Sequence, residues 1–150
     1  MASYRNVLRD GLAAVGIAAK DKAGALEAAA GLLAAGAGLD KGRLLVAVAA
    51  REKLSSTGIG EGVAIPHALM EGVAATTMAV ARLAEPVDFD AEDGGPVDLV
   101  FMIAGPRSDT GGHLKLLSKL ARTLHDPEFR KAAREAPDGP ALARLIYDRD

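Results

Sequence analysis

Three histidines and one arginine are the residues of this chain whose types and placing can do chemistry. His67 ends an apolar segment and directly follows Pro66. Proline biases the residue before it towards extended backbone, so the ring is fixed by its chain and not carried on a mobile tip. A neutral imidazole is a competent nucleophile towards phosphorus, and its pKa lies near neutral pH. His113 follows Gly111-Gly112 where a strand gives way to a helix. Backbone N–H groups and the helix dipole gather there and favour an anion, and an imidazole in that turn can donate a hydrogen bond to a phosphoryl oxygen. Arg51 lies at a helix end before a glycine-rich turn, from which a guanidinium can bind the same oxygens. The competing readings are structural: a satisfied core histidine for His67, a polar first-turn residue for His113, a dipole partner for Arg51. His125 is twelve residues beyond His113, about 120° around an ideal helix, and reads as a helix cap beside Asp126.

Two other chemistries have weak signals. The run Gly58-Ile59-Gly60-Glu61-Gly62 looks like a phosphate loop, but a helix precedes it and no lysine follows in the position a P-loop needs. The histidines lack an H-x-x-x-H spacing, so a metal centre is not expected. No cofactor is expected either.

The elements that must position these residues follow from the pattern. Ser3 is placed to cap a short first helix carrying Val7 and Leu8. Ala13 to Ala19 reads as a short strand. Asp21 opens an alanine-rich helix with Leu26, Leu32 and Leu33 on one face, ending near Gly36 and Gly38. Asp40 opens the next helix, with Leu44, Leu45, Val48 and Ala49 facing inward and Arg51 and Lys53 in its last turn. A flexible collar over Ser55 to Gly62 follows, then a strand over Val63 to Ile65. Ala75 to Leu83 alternates as a strand. Glu85 to Asp98 is acidic, contains no Lys or Arg, and reads as a solvated connection. Val97 to Ala104 is apolar enough for a central strand buried on both faces. A helix beginning near His113 shows Leu114, Leu117, Ala121 and Leu124 at helical spacing. Asp126-Pro127 and Asp138-Gly139-Pro140 open two final helices. Interleaved strands and helices predict an α/β fold, a mixed sheet flanked by helices, in a single domain over 1–150.

Composition excludes several functions. The chain has 150 residues, no cysteine and a net charge of -2. Thiolate chemistry and disulfides are excluded, and no basic field exists to hold nucleic acid or an anionic membrane. Aromatics are only 3%, leaving little surface on which bases could stack. No signal-peptide pattern and no apolar run long enough to span a bilayer is found, so a cytoplasmic location is expected.

The segment Arg51-Glu52, Ser56-Thr57-Gly58-Ile59-Gly60 and Gly62-Val63-Ala64-Ile65-Pro66-His67 resembles the signature of the type-2 IIA domains of the bacterial phosphoenolpyruvate-dependent phosphotransferase system. This is the fructose/mannitol class that includes the nitrogen-regulatory IIA proteins. A second block from Val97 through His113-Leu114-Lys115-Leu116-Leu117 to Arg122, and Asp126-Pro127-Glu128-Phe129-Arg130 beyond it, are similar to the same family. The resemblance implies that His67 takes a phosphoryl group from the phosphohistidine of HPr, supported by His113 and Arg51. It implies that the group passes to a separate IIB domain, or that the phosphorylated state controls a target protein. Ser56 and Thr57 belong to the signature and are expected at the rim of the site. Leu69 and Met70 are candidates for an apolar docking surface. Where many members of the family carry a basic residue or a glycine shortly after the histidine, this chain has Ala68-Leu69-Met70-Glu71.

Overall fold

A computed structural model describes residues 3–9 and 11–150. The reading of residues 1–10 as free of a leader therefore falls partly outside the described residues. In chain order the elements are α1 (Tyr4–Val7), β1 (Ala13–Ile17), α2 (Lys22–Ala37), α3 (Lys41–Leu54), β2 (Gly58–Gly60), β3 (Val63–Ala64), β4 (His67–Met70), β5 (Thr77–Val87), β6 (Val97–Pro106), α4 (Thr110–His125), α5 (Pro127–Glu135) and α6 (Gly139–Tyr147). The sheet has the order β1-β5-β6-β3-β2, and β4 also pairs with β6. β5 and β6 are antiparallel, whereas β1 joins β5, and β3 and β4 join β6, in parallel. The expected mixed α/β sheet with helices around it is what the chain forms.

The apolar run on β6 explains its central place. Leu99 to Ala104 are fully buried, as a strand covered on both faces requires. β5 runs on through Pro86 to Val87, longer than the alternation in sequence indicates. Aspartates start the helices: Asp21, Asp40, Asp109, Asp126 and Asp138 each accept a backbone N–H of the first turn with the side chain, satisfying donors that have no partner in the helix. Ser3 does not cap α1. Its hydroxyl donates instead to Asp150 at 3.0 Å.

Three expectations are corrected. α4 starts at Thr110, and its buried residues are His113, Leu116, Leu120, Thr123 and Leu124, while Leu114 and Ala121 face outward. The inner stripe contains two polar residues, so apolar spacing alone places the face wrongly. Thr123 is inside because its hydroxyl meets the Tyr4 hydroxyl at 2.6 Å in a buried contact. The acidic connection is more than solvated chain. Phe89 is fully buried, Asp93 accepts from the Glu61 and Gly95 N–H groups, and Asp98 accepts two hydrogen bonds from Arg134 Nε and one from Nη2. The glycine-rich collar, finally, is held: Gly58–Gly60 forms β2 against β3.

Candidate functional site

His67 opens β4, and its place is set by backbone. The Ile65 N–H donates to the Thr57 carbonyl at 3.0 Å, and the Ile103 N–H donates to the Pro66 carbonyl at 2.9 Å. The three-residue approach to His67 is thus pinned to the turn on one side and to β6 on the other. The ring is half-buried, and its Nδ1 lies 2.8 Å from the Ile65 carbonyl oxygen. A carbonyl only accepts, so Nδ1 carries the proton and Nε2 keeps its lone pair. The free nitrogen of the ring is therefore Nε2.

His113 comes to the same place from α4. Its ring centroid is 5.4 Å from that of His67, and the planes are tilted by 54°. It sits in the first turn of α4, where its N–H donates to the Asp109 carbonyl at 3.2 Å, and it is 4% exposed. Arg51 lies half-buried in the last turn of α3, with Nη1 donating to the Ser55 carbonyl at 3.1 Å.

Both rings favour the neutral form. Burial pushes the His67 pKa below its ordinary value, the Ile65 hydrogen bond works against that, the Arg51 charge lowers it further, and Glu52 raises it. Burial also lowers the His113 pKa, His67 adds to the effect, and Asp109 opposes it. Desolvation is the leading cause in each case. Arg51 thus reaches His67 electrostatically, and His67 in turn reaches His113. His125 is exposed at the other end of α4.

The residues expected around the site divide. Leu69 is half-buried on β4, while Thr57 and Met70 are buried. Met70 forms part of the wall of a groove of about 500 Å³ whose lining includes Arg43, Val46, Ala47 and Arg107. The Ser56 hydroxyl donates to the Phe89 carbonyl at 2.7 Å and accepts from the Gly58 N–H. The Thr57 N–H and hydroxyl both donate to the Glu52 carboxylate.

Glu52 is the residue that the sequence reading passed over. It is 8% exposed, and Lys22 Nζ lies 2.8 Å from its Oε2. From there a chain of contacts runs through Thr57 to Ile65, and from the Ile65 carbonyl to the His67 ring. Its spacing with Leu44 and Val48 on α3 is the signal that could have placed it inside, since residues four apart share a helix face.

Comparison with known proteins was made with this geometry in hand. The family model described as "Phosphoenolpyruvate-dependent sugar phosphotransferase system, EIIA 2" matches residues 6–148. A nitrogen regulatory protein of Pseudomonas aeruginosa is 46% identical over 99 residues, which are 66% of this chain and 64% of that protein. The chain thus spans a little under two thirds of that relative's length. The fructose-specific EIIA component of the phosphotransferase system of Haloferax volcanii is 41% identical over 109 residues, 73% of this chain and 71% of that one. Among solved structures, the nitrogen regulatory protein IIA-Ntr of Neisseria meningitidis has a TM-score of 0.84 and 36% identity, covering 94% of this chain and 97% of that one.

Proposed function

Since this chain belongs to the EIIA 2 family of the phosphoenolpyruvate-dependent sugar phosphotransferase system, we propose that His67 is its phosphoryl acceptor. The donor is the phosphohistidine of HPr. The Nε2 lone pair of His67 attacks phosphorus, the bond from phosphorus to the donor imidazole breaks, and the donor nitrogen leaves with the electron pair. The phosphoryl group then passes to a IIB domain. The observation that carries this reading is the hydrogen bond between His67 Nδ1 and the Ile65 carbonyl, which leaves Nε2 free on a ring whose centroid is 5.4 Å from that of His113.

Phosphoryl transfer asks mainly for position and for charge stabilisation. Backbone contacts supply the first at His67. His113 and Arg51 supply the second, as donors to the phosphoryl oxygens. Ser56 and Thr57 shape the rim by holding the turn, and Leu69 belongs to the surface against which the protein donor docks, with the buried Met70 behind it. No metal is needed, because the donor is a phosphohistidine and not a nucleotide. Such a relay operates in the cytoplasm.

A second reading shares the chemistry and differs in its purpose: the phosphorylation state of His67 controls a partner protein. The likeness to two nitrogen regulatory proteins favours it. Incubation with phosphoenolpyruvate, enzyme I and HPr tests the common step, and intact-mass measurement should show one phosphoryl group on wild type and none on His67→Ala. An unmodified wild type, or a modified His67→Ala, refutes the assignment. Transfer onward to a purified IIB domain supports the transport role. Phosphorylation-dependent capture of a partner from cells supports the regulatory one.

A further inference from the structure

A carboxylate removed from water is costly unless its oxygens are hydrogen-bonded and its charge is paired. Glu52 is 8% exposed and meets both conditions with partners from two other segments. Lys22, the first residue of α2, brings its Nζ to 2.8 Å from Oε2. The same ammonium lies over the Phe89 ring, 4.9 Å from its centroid. Both carboxylate oxygens are 3.2 Å from the Thr57 nitrogen, and Oε1 also accepts from the Thr57 hydroxyl. Nothing in the transfer of a phosphoryl group to His67 calls for a buried anion at this place.

Its position links the two groups that do matter there. Arg51 is the residue before it, and the Arg51 guanidinium donates to the Ser55 carbonyl. The end of α3 therefore grips the turn at residue 55 through Arg51 and at residue 57 through Glu52. From Thr57 the hold passes to His67. The Thr57 carbonyl accepts from the Ile65 N–H at 3.0 Å, and the Pro66 carbonyl accepts from the Ile103 N–H at 2.9 Å. Pro66 has no N–H of its own, so these two bonds flank the Ile65 carbonyl, whose oxygen lies 2.8 Å from His67 Nδ1. One anchor is β6, inside the sheet. The other is only as fixed as Thr57.

We propose that Glu52 is a positioning residue for His67 and Arg51: by holding Thr57 it keeps the Ile65 carbonyl aimed at Nδ1, and it ties the end of α3 to the same turn. A carbonyl only accepts, so its aim keeps the proton on Nδ1 and the lone pair on Nε2. With Thr57 released, the carbonyl drifts from the ring and both tautomers are populated. A share of the molecules then carries a proton on the nitrogen that has to attack phosphorus. Lys22 makes a carboxylate tolerable near a site that takes an anion, because its charge offsets that of Glu52. Glu52 exchanges no proton with the phosphoryl group and acts only through Thr57 and the end of α3. The consequence for transfer rests on His67 being the phosphoryl acceptor. The tautomer of His67 does not.

Long-range proton–nitrogen spectra of the unphosphorylated protein report the tautomer of each ring. Wild type is expected to show His67 with its proton on Nδ1. Glu52→Ala should mix in the Nε2–H form. It should also slow loading of His67 at saturating phospho-HPr by about tenfold, inside the ~100-fold that a misplacement of about 1 Å can cost, with KM little changed. Glu52→Gln keeps an oxygen that accepts from Thr57, while the partly exposed Lys22 turns to water, and should restore tautomer and rate together. Thr57→Val removes only the hydroxyl contact and should move both readouts the same way by less, which keeps the test decisive should Glu52→Ala fail to fold. An unchanged His67 tautomer in Thr57→Val, and in Glu52→Ala where it folds, overturns the proposal. So does a Glu52→Gln protein that melts like wild type yet behaves like Glu52→Ala. If the tautomer responds as expected while wild type takes up no phosphoryl group, the link from Glu52 to the His67 ring stands and the role given to His67 falls.

Discussion

At the scale of the residue, burial sets the chemistry of His67. Its pKa is pushed below the ordinary 6.5, by desolvation first. The folded protein binds this proton less readily than the unfolded chain does. Stability linked to the ring is therefore complete above pH 6.5 and is lost as pH falls from there through the lowered value. A proton NMR titration of the ring is expected to give a midpoint under 6.5. Arg51→Ala should move it upward, because the guanidinium is one of the groups holding it down. A wild-type midpoint at or above 6.5 would contradict this account. Glu52 makes a second case. Removing it takes the acceptor from Thr57 and leaves Lys22 with Asp90, at 4.0 Å, as its ion partner, and breaking a buried pair costs about 3–5 kcal/mol. Lys22 is partly exposed, at 23% of its side chain, and can turn to water, so Glu52→Ala should cost about 2–3 kcal/mol by urea denaturation. The candidate residues stand out in the sequence because His67 follows a proline, His113 follows two glycines, and Arg51 lies in the last turn of a helix that leads into a glycine-rich turn. The role of Glu52 does not, because its helical spacing marks an inward face but says nothing of an ion partner as distant in sequence as Lys22.

At the scale of the element, Asp21, Asp40, Asp126 and Asp138 announced their helices and cap them as read, whereas Ser3 does not cap α1, and Asp109, which caps α4, was not singled out. The face of α4 was not legible, because its inner stripe includes His113 and Thr123, and burial of a polar residue depends on partners from other elements. The same holds for Gly139. Its place after Asp138 reads as a helix breaker. Yet a Cβ there would strike the backbone carbonyl of Ala13 on β1, too close for any side chain. The first turn of α6 rests directly on the strand. Alanine is the better helix former, so propensity alone predicts that Gly139→Ala stabilises. The contact predicts the reverse, a loss of about 1–3 kcal/mol as backbone is forced apart. The chemical-denaturation midpoint decides between them.

At the scale of the whole molecule, the Asp150 side chain draws together α1, α4 and the segment that follows α6. It accepts from the Ser3 hydroxyl, from the backbone N–H groups of Tyr4 and Arg5, and from Lys119 at 2.6 Å. Burial works to raise its pKa, but these donors outweigh it and bring the value down to about 2. A lowered carboxylate contributes stability above its unfolded pKa and loses it as pH falls through the folded one. Asp150→Asn is therefore expected to melt lower than wild type near neutral pH, by about 2–4 °C for roughly 1 kcal/mol in a chain of this size, with the gap closing as pH approaches 2. A gap that persists at that pH would locate the effect in packing instead.

The parallel pairing of β3 and β4 with β6 has a consequence for the order in which this protein comes into being. His67 is placed by a strand that adjoins Ile103, and its approach is pinned by the Ile103 N–H. While a ribosome has delivered only the first part of the chain, β3 has only the short β2 beside it and β4 has no strand to lie against. Parallel strands form late because the intervening chain must be closed first. His67 is therefore translated well before it is positioned, and the nascent chain carries it unplaced until β6 emerges and the sheet closes around it.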